Sequence, residues 1–109
     1  MKTERSLERK MRLVERLLLT FIRFSVPSVS LGPKTHGEVY PSSWTIFLRV
    51  ATDLEREQLR QDWNVDRKLR ETLARVGYPQ YAVTSVRLYV ESEETLQRNY
   101  EKHGTAAFM

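Results

Sequence analysis

Between residues 44 and 50 the chain alternates Trp44, Ile46, Leu48 and Val50 with Thr45, Phe47 and Arg49. That is the period-two pattern of a strand with one face committed to a core. A second run, Val86-Arg87-Leu88-Tyr89-Val90, repeats it. It predicts a strand near 83–90 with Val86, Leu88 and Val90 inward and Arg87 and Tyr89 on the opposite face. Upstream, Leu7, Met11, Val14, Leu18 and Phe21 recur at spacings of four and three, and Leu17 and Ile22 widen the stripe. This predicts an amphipathic helix over 3–24, capped by Thr3 or Ser6.

The segment between the two strands reads as helix. Thr52 and Glu55 have the spacing of a capping box. Leu54, Leu59 and Trp63 form a short apolar set, and Val65, Leu69, Thr72, Leu73 and Val76 a firmer one. A short helical piece is therefore expected, then a helix near 65–76 recapped by Asn64 or Asp66. Gly77 stands where a left-handed C-cap belongs, and Pro79 forbids continuation. A strand–helix–strand unit implies a crossover that brings the strands parallel, as neighbours or with a gap for the 26–31 segment. Pro27 confines that segment to an edge. After the second strand, Ser92 is an N-cap with Glu93 and Glu94 in the first turn, Leu96 and Tyr100 face one way, and Gly104 is expected to end the helix. Residues 25–43, with Gly32-Pro33, Gly37 and Pro41, are the irregular part.

The fold class is thus α+β: a small sheet of about three strands with N-terminal, central and C-terminal helices packed on it. One domain is expected over 1–109, comprising a basic amphipathic helix (1–24), an irregular loop or edge strand (25–43) and a strand–helix–strand–helix core (44–103).

Charge changes this picture. Of the formal net charge of +4, all resides in the first helix, where residues 1–24 carry seven Lys/Arg against three Glu; the remainder is balanced. A basic segment before Leu17–Ile22 resembles a signal peptide only superficially, because Glu15 and Arg16 abut a short apolar core and no small-residue cleavage site follows. The chain has no cysteine and two histidines, which excludes a disulfide framework, a thiol nucleophile and a cysteine zinc site. No apolar run is long enough for a membrane span. A cytoplasmic protein is expected.

The run Glu91-Ser92-Glu93-Glu94-Thr95-Leu96-Gln97-Arg98-Asn99-Tyr100, with Gly77-Tyr78-Pro79 ahead of its strand, resembles the end of small uncharacterised bacterial proteins, some of them carried as integron gene cassettes. The resemblance covers residues 65–100 and implies a fold more than an activity.

Candidate chemistry is sparse. Glu91, Glu93 and Glu94 form a carboxylate cluster suited to acid–base work or a divalent ion, but Ser-Glu-Glu after a strand is also what a helix start requires. His103 beside Lys102 fits a surface helix end. Ser42-Ser43 lacks the context of a nucleophile, and no glycine-rich phosphate loop is present. Lys34, His36 and Tyr40 are the polar candidates of the long loop. No catalytic residue, metal site or cofactor is assigned.

The second faces of the strands offer more. Phe47, Arg49, Arg87 and Tyr89 make an aromatic and basic surface of the kind that stacks and holds single-stranded RNA. The competing use is cover: the N-terminal helix needs a place for its stripe, and laying it over Phe47 and Tyr89 is the favoured arrangement. The functional expectation is a non-enzymatic interaction module, self-associating as a homodimer through the N-terminal helix (Met11, Val14, Leu18, Phe21) or a sheet edge. A nucleic-acid-binding protein is the alternative. A small enzyme or ligand binder is third, with a pocket between the 32–43 loop and the 91–103 segment lined by Glu91, His103 or Tyr40.

Overall fold

A computed structural model of the chain describes residues 2–33 and 40–107, with side chains over 6–33 and 40–101. In order, the elements are α1 (Lys2–Arg23), β1 (Ser30–Leu31), β2 (Thr45–Val50), α2 (Asp53–Arg60), α3 (Trp63–Arg75), β3 (Arg87–Ser92) and α4 (Glu93–Ala107), with short 3₁₀ turns at Pro41–Ser43 and Gln80–Ala82. The α+β architecture is as the patterning requires. Among the described residues the sheet has the order β1-β2-β3, with β1 antiparallel and β3 parallel to β2. The two long strands are therefore direct neighbours. The 26–31 segment contributes its last two residues to the other edge of β2.

The stripe of α1 lies on the core face of the sheet. Val14, Leu18 and Ile22 are fully buried in one cluster with Ile46, Leu48, Val50, Leu69 and Leu73. The helix packs chiefly on α3. Lys10 Nζ donates to Gly77 O (3.0 Å) beyond the end of α3, while Lys68 in its first half sits over the Phe21 ring (5.5 Å). The two helices accordingly run antiparallel. Burying each such Leu or Ile side chain stabilises by about 1.5–3 kcal/mol, so this helix pair is a main part of the fold. The expected cover of Phe47 and Tyr89 by α1 is overturned, because the stripe is spent on the other side of the sheet.

Local signals explain most boundaries. Thr52 and Glu55 form the full capping box at α2. Asp62, not Asn64 or Asp66, caps α3, its carboxylate accepting from Asn64 N–H (2.8 Å). Gly77 adopts φ 80°, and Tyr78 N–H reaches Leu73 O (2.9 Å) while Gly77 N–H reaches Ala74 O (3.1 Å), a Schellman closure. Two expectations need correction. In the set Leu54, Leu59, Trp63 only Leu59 is buried; Leu54 and Trp63 are 79% and 87% exposed. Gly104 does not end α4, which continues to Ala107.

Tyr78 locks the lower end of the sheet. Its ring lies 5.7 Å from that of buried Trp44, and its hydroxyl donates to Pro41 O (2.7 Å). Burial, with the nearby Tyr81, pushes the phenol up to about 12. At the β1 edge, Gly32 N–H donates to Phe47 O (2.7 Å), and a Cβ on Gly32 would stand 3.0 Å from Phe47 Cβ. Glycine lets the chain come this close.

Candidate interaction surface

The parallel register sets Thr45, Phe47 and Arg49 beside Arg87, Tyr89 and Glu91 on the face turned away from α1. Phe47 and Tyr89 meet edge to face with centroids 5.7 Å apart, a favoured aromatic geometry. Tyr89 is 50% exposed, so the pair forms a partly open apolar patch. Arg49 Nη2 lies 3.6 Å from Glu91 Oε2, and its Nε is buried with no hydrogen-bond partner among the described residues. The four residues assigned to nucleic-acid contact thus share one face, but Arg49 is engaged by a carboxylate and only Arg87 presents a free guanidinium. Arg87 is exposed, and its guanidinium makes no hydrogen bond or ion pair with a described residue.

Arg87 and Tyr89 border a shallow groove of about 550 Å³ at the lower end of the strands, completed by the hydroxyl residues Ser42, Ser43, Thr45 and Ser85. The pocket expected between the 32–43 loop and the 91–103 segment is not this one. Glu91 is at the far end of β3 and held by Arg49, and Tyr40 is exposed outside the groove lining. Lys34 and His36, and the side chain of His103, lie outside the described residues.

The self-association residues on α1 are placed differently from expectation. Val14 and Leu18 are wholly inside the monomer core, and Met11 and Phe21 are half-buried against it. Most of this stripe is thus used inside the monomer. The excess positive charge, carried on exposed Arg9, Arg12, Arg16 and Arg23, therefore lies on the opposite side of the sheet from Phe47 and Tyr89.

Sequence reading missed the state of the edges. Arg87 N–H donates to Trp44 O (3.1 Å). Because alternate residues of a parallel strand bond to the neighbour, Arg87, Tyr89 and Glu91 direct their backbone groups to β2, and Leu88 and Val90 turn theirs outward. Among the described residues no strand or loop bonds these outward groups. Edge strands are commonly blunted by shortness, proline, lysine or a bulge. β1 has two residues and ends at Gly32-Pro33. β3 has six residues with no proline, lysine or bulge; its charged residues are Arg87 and Glu91, and half-buried Leu88 and Val90 lie beside the open groups.

At the upper end of the strands the acidic cluster is dispersed into structural work. Glu94 Oε1 accepts from Asp53 N–H (2.8 Å) at the start of α2, and Glu93 is exposed. Ser92 Oγ caps α4 by accepting from Thr95 N–H (3.1 Å). Asp53 accepts from the Ser92 hydroxyl, from Thr95 Oγ1 (2.6 Å) and from Arg98 Nη2 (2.8 Å). The Ser92 hydroxyl, then Thr95 and Arg98, hold its carboxyl well below the usual carboxylate range. The described residues contain no cluster of three His, Asp or Glu able to hold a metal ion, and no described helix is long and apolar enough to cross a membrane. No protein-family model, curated protein or solved structure matches this chain.

Proposed function

We propose that the chain is a non-enzymatic interaction module that works as a self-associated species, and that it associates through its sheet. The observation that carries this reading is the edge of β3, where no described residue bonds the outward backbone donors and acceptors of Leu88 and Val90, next to a partly exposed aromatic pair. Such an edge attracts another strand. With this reading goes a cytoplasmic setting, since a chain without cysteine needs no oxidising compartment. Kinship with the small bacterial cassette proteins that residues 65–100 resemble is part of the same proposal. The test is molar mass by sedimentation across a concentration range. Mass rising towards twice that of the chain supports the module; the mass of a single chain throughout rejects it.

A second reading rests on the partly exposed Phe47–Tyr89 pair beside Arg87, which suits a base stacked on the Tyr89 ring and a phosphate on the guanidinium. It predicts binding of a single-stranded oligonucleotide that weakens steeply with salt and falls on Tyr89→Ala. Salt-independent or absent binding removes it. The position of the basic α1 surface on the far side of the sheet makes this the lesser reading.

A further inference from the structure

We infer that the partner at the β3 edge is a second copy of this chain, paired antiparallel with Tyr89 on the twofold axis. This rests on the self-association reading and specifies its geometry.

Three constraints on β3 lead to that register. The first is hydrogen bonding. In an antiparallel pair, residues exchange both backbone bonds only if their groups face the seam. Leu88 and Val90 face it, so Leu88 must lie opposite the partner's Val90, or one of the two must lie opposite its own copy. The second is charge. With Tyr89 at the axis, Arg87 falls opposite the partner's Glu91, and by symmetry Glu91 opposite the partner's Arg87. Centring on Leu88 or on Val90 would set only one of these two charged residues beside Tyr89 and leave the other outside the ladder pairs. Opposite charges directly across a seam stabilise a sheet, and like charges do the reverse. The third is shape. Tyr89 then meets the partner's Tyr89 at a non-hydrogen-bonded position, where Cα atoms approach to about 4.5 Å and side chains are closest. On the other face, Leu88 lies against the partner's Val90.

The result is one continuous sheet across both copies. The Phe47–Tyr89 pair is extended by its symmetry mate into a ladder of aromatic rings across the seam. Arg49 is already beside Glu91 (3.6 Å), so the partner's Arg87 completes a basic–acidic–basic row at each end of the ladder. Neither the ladder nor the row exists in one copy alone. The Arg87 side chain in particular has no ion-pair partner among the described residues.

The absence of cysteine makes the test direct. A Tyr89→Cys variant carries one thiol at the axis, where the Cα separation suits a disulfide. Mild oxidation should convert it to covalent dimer. Arg87→Cys should not cross-link, because symmetry-related positions 87 would be about 13 Å apart. Charge reversal gives an independent reading. Arg87→Glu alone and Glu91→Lys alone each set like charges across the seam twice, and each should weaken the dimer about tenfold. An equimolar mixture of the two variants restores opposite charges at both positions and should recover a heterodimer. A wild-type chain that stays monomeric overturns both this geometry and the self-association reading. A wild-type dimer whose Tyr89→Cys variant does not cross-link, or whose two charge variants fail to complement, overturns the geometry alone. Arg87 is exposed and Tyr89 half-exposed, so changes there leave the core intact. Glu91 is part-buried beside Arg49, so the Tm of Glu91→Lys is measured alongside; a variant that is folded but does not complement Arg87→Glu still counts against the geometry.

Discussion

Asp53 and Glu94 exchange helix ends. The carboxylate of Asp53, in the first turn of α2, receives Ser92 and Thr95 at the start of α4. The carboxylate of Glu94, in the first turn of α4, receives the N–H of Asp53 (2.8 Å). Each helix start thus has its positive end met by a carboxylate of the other, and Arg98 closes the arrangement on Asp53 Oδ2 (2.8 Å). This polar network joins the C-terminal ends of the two parallel strands.

Acid should release this joint. Asp53 is held low by Ser92, then Thr95 and Arg98, and Glu55 is lowered chiefly by the Thr52 hydroxyl, with Ser28. A carboxyl depressed in the fold stabilises it above the unfolded pKa, about 4, and that stabilisation is lost as pH falls towards the folded value. The Tm should therefore be level from neutral pH down to about 5 and drop below it. Asp53→Asn should have a lower Tm at pH 7 and a shallower acid decline. Parallel declines in the two proteins would show that Asp53 is not the titrating group.

Ser92 both caps α4 and donates to Asp53, so removing its hydroxyl should be felt twice. Ser92→Ala is expected to cost about 1–2 kcal/mol in urea denaturation. Combined with Asp53→Asn it should cost less than the two separate losses together, because both changes break one network. Strict additivity would contradict the shared hydrogen bond.

At alkaline pH the sensitive group is Tyr78. Its phenol titrates near 12 in the fold and near 10 when unfolded. Its contribution is complete below about 10 and is lost as pH rises from there through 12. Tyr78→Phe should lower stability at pH 7 by about 1 kcal/mol for the bond to Pro41 O and flatten the alkaline decline. An unchanged alkaline slope in that variant would assign the decline to other groups.

Leu17 and Leu18 are adjacent yet differ in consequence. Leu18 is fully buried and Leu17 is 38% exposed. Leu18→Ala should cost about 2–5 kcal/mol and Leu17→Ala about 0.5 kcal/mol. Leu18→Glu should unfold the domain, so loss of association in that variant would say nothing about an interface on α1. Similar losses for the two alanine variants would mean that α1 does not pack as described.

Gly77→Ala tests the C-cap of α3. The space around its Cβ position is ordinary, with Lys10 Nζ at 3.7 Å, so the penalty comes from the left-handed backbone alone. About 1–2 kcal/mol is expected. No measurable loss would mean that the turn can adopt another closure.

The readable part of this fold was what local spacing dictates. The alternation of 44–50, the Thr52–Glu55 box, the Ser92 cap and the Gly77-Tyr78-Pro79 stop each act within a few residues, and each is found in place. What distant segments decide was not readable. Phe47 and Tyr89 looked as suitable a bed for α1 as the Ile46 face, because a sequence does not state which side of a sheet a helix selects. Leu54 and Trp63 fit an apolar spacing but fall at helix starts that turn outward, where periodicity carries little weight. The candidate surface was partly legible: the period of two put Phe47 with Arg49 and Arg87 with Tyr89 on second faces expected to adjoin, while the register that sets Arg49 beside Glu91 and Thr45 beside Arg87 was not readable.

That register also governs how the chain acquires its shape. Every rung between β2 and β3 joins residues on opposite sides of α2 and α3, so no rung closes until the intervening crossover has come back. The α1 and α3 contact spans a similar stretch. The β2–β3 pairing is therefore expected to form after the helices, whose hydrogen bonds are local, with the edge of β2 open to other chains until β3 arrives. The edge-to-face contact of Phe47 with Tyr89 bridges the last strands to meet, and the environment of those rings would mark the end of folding.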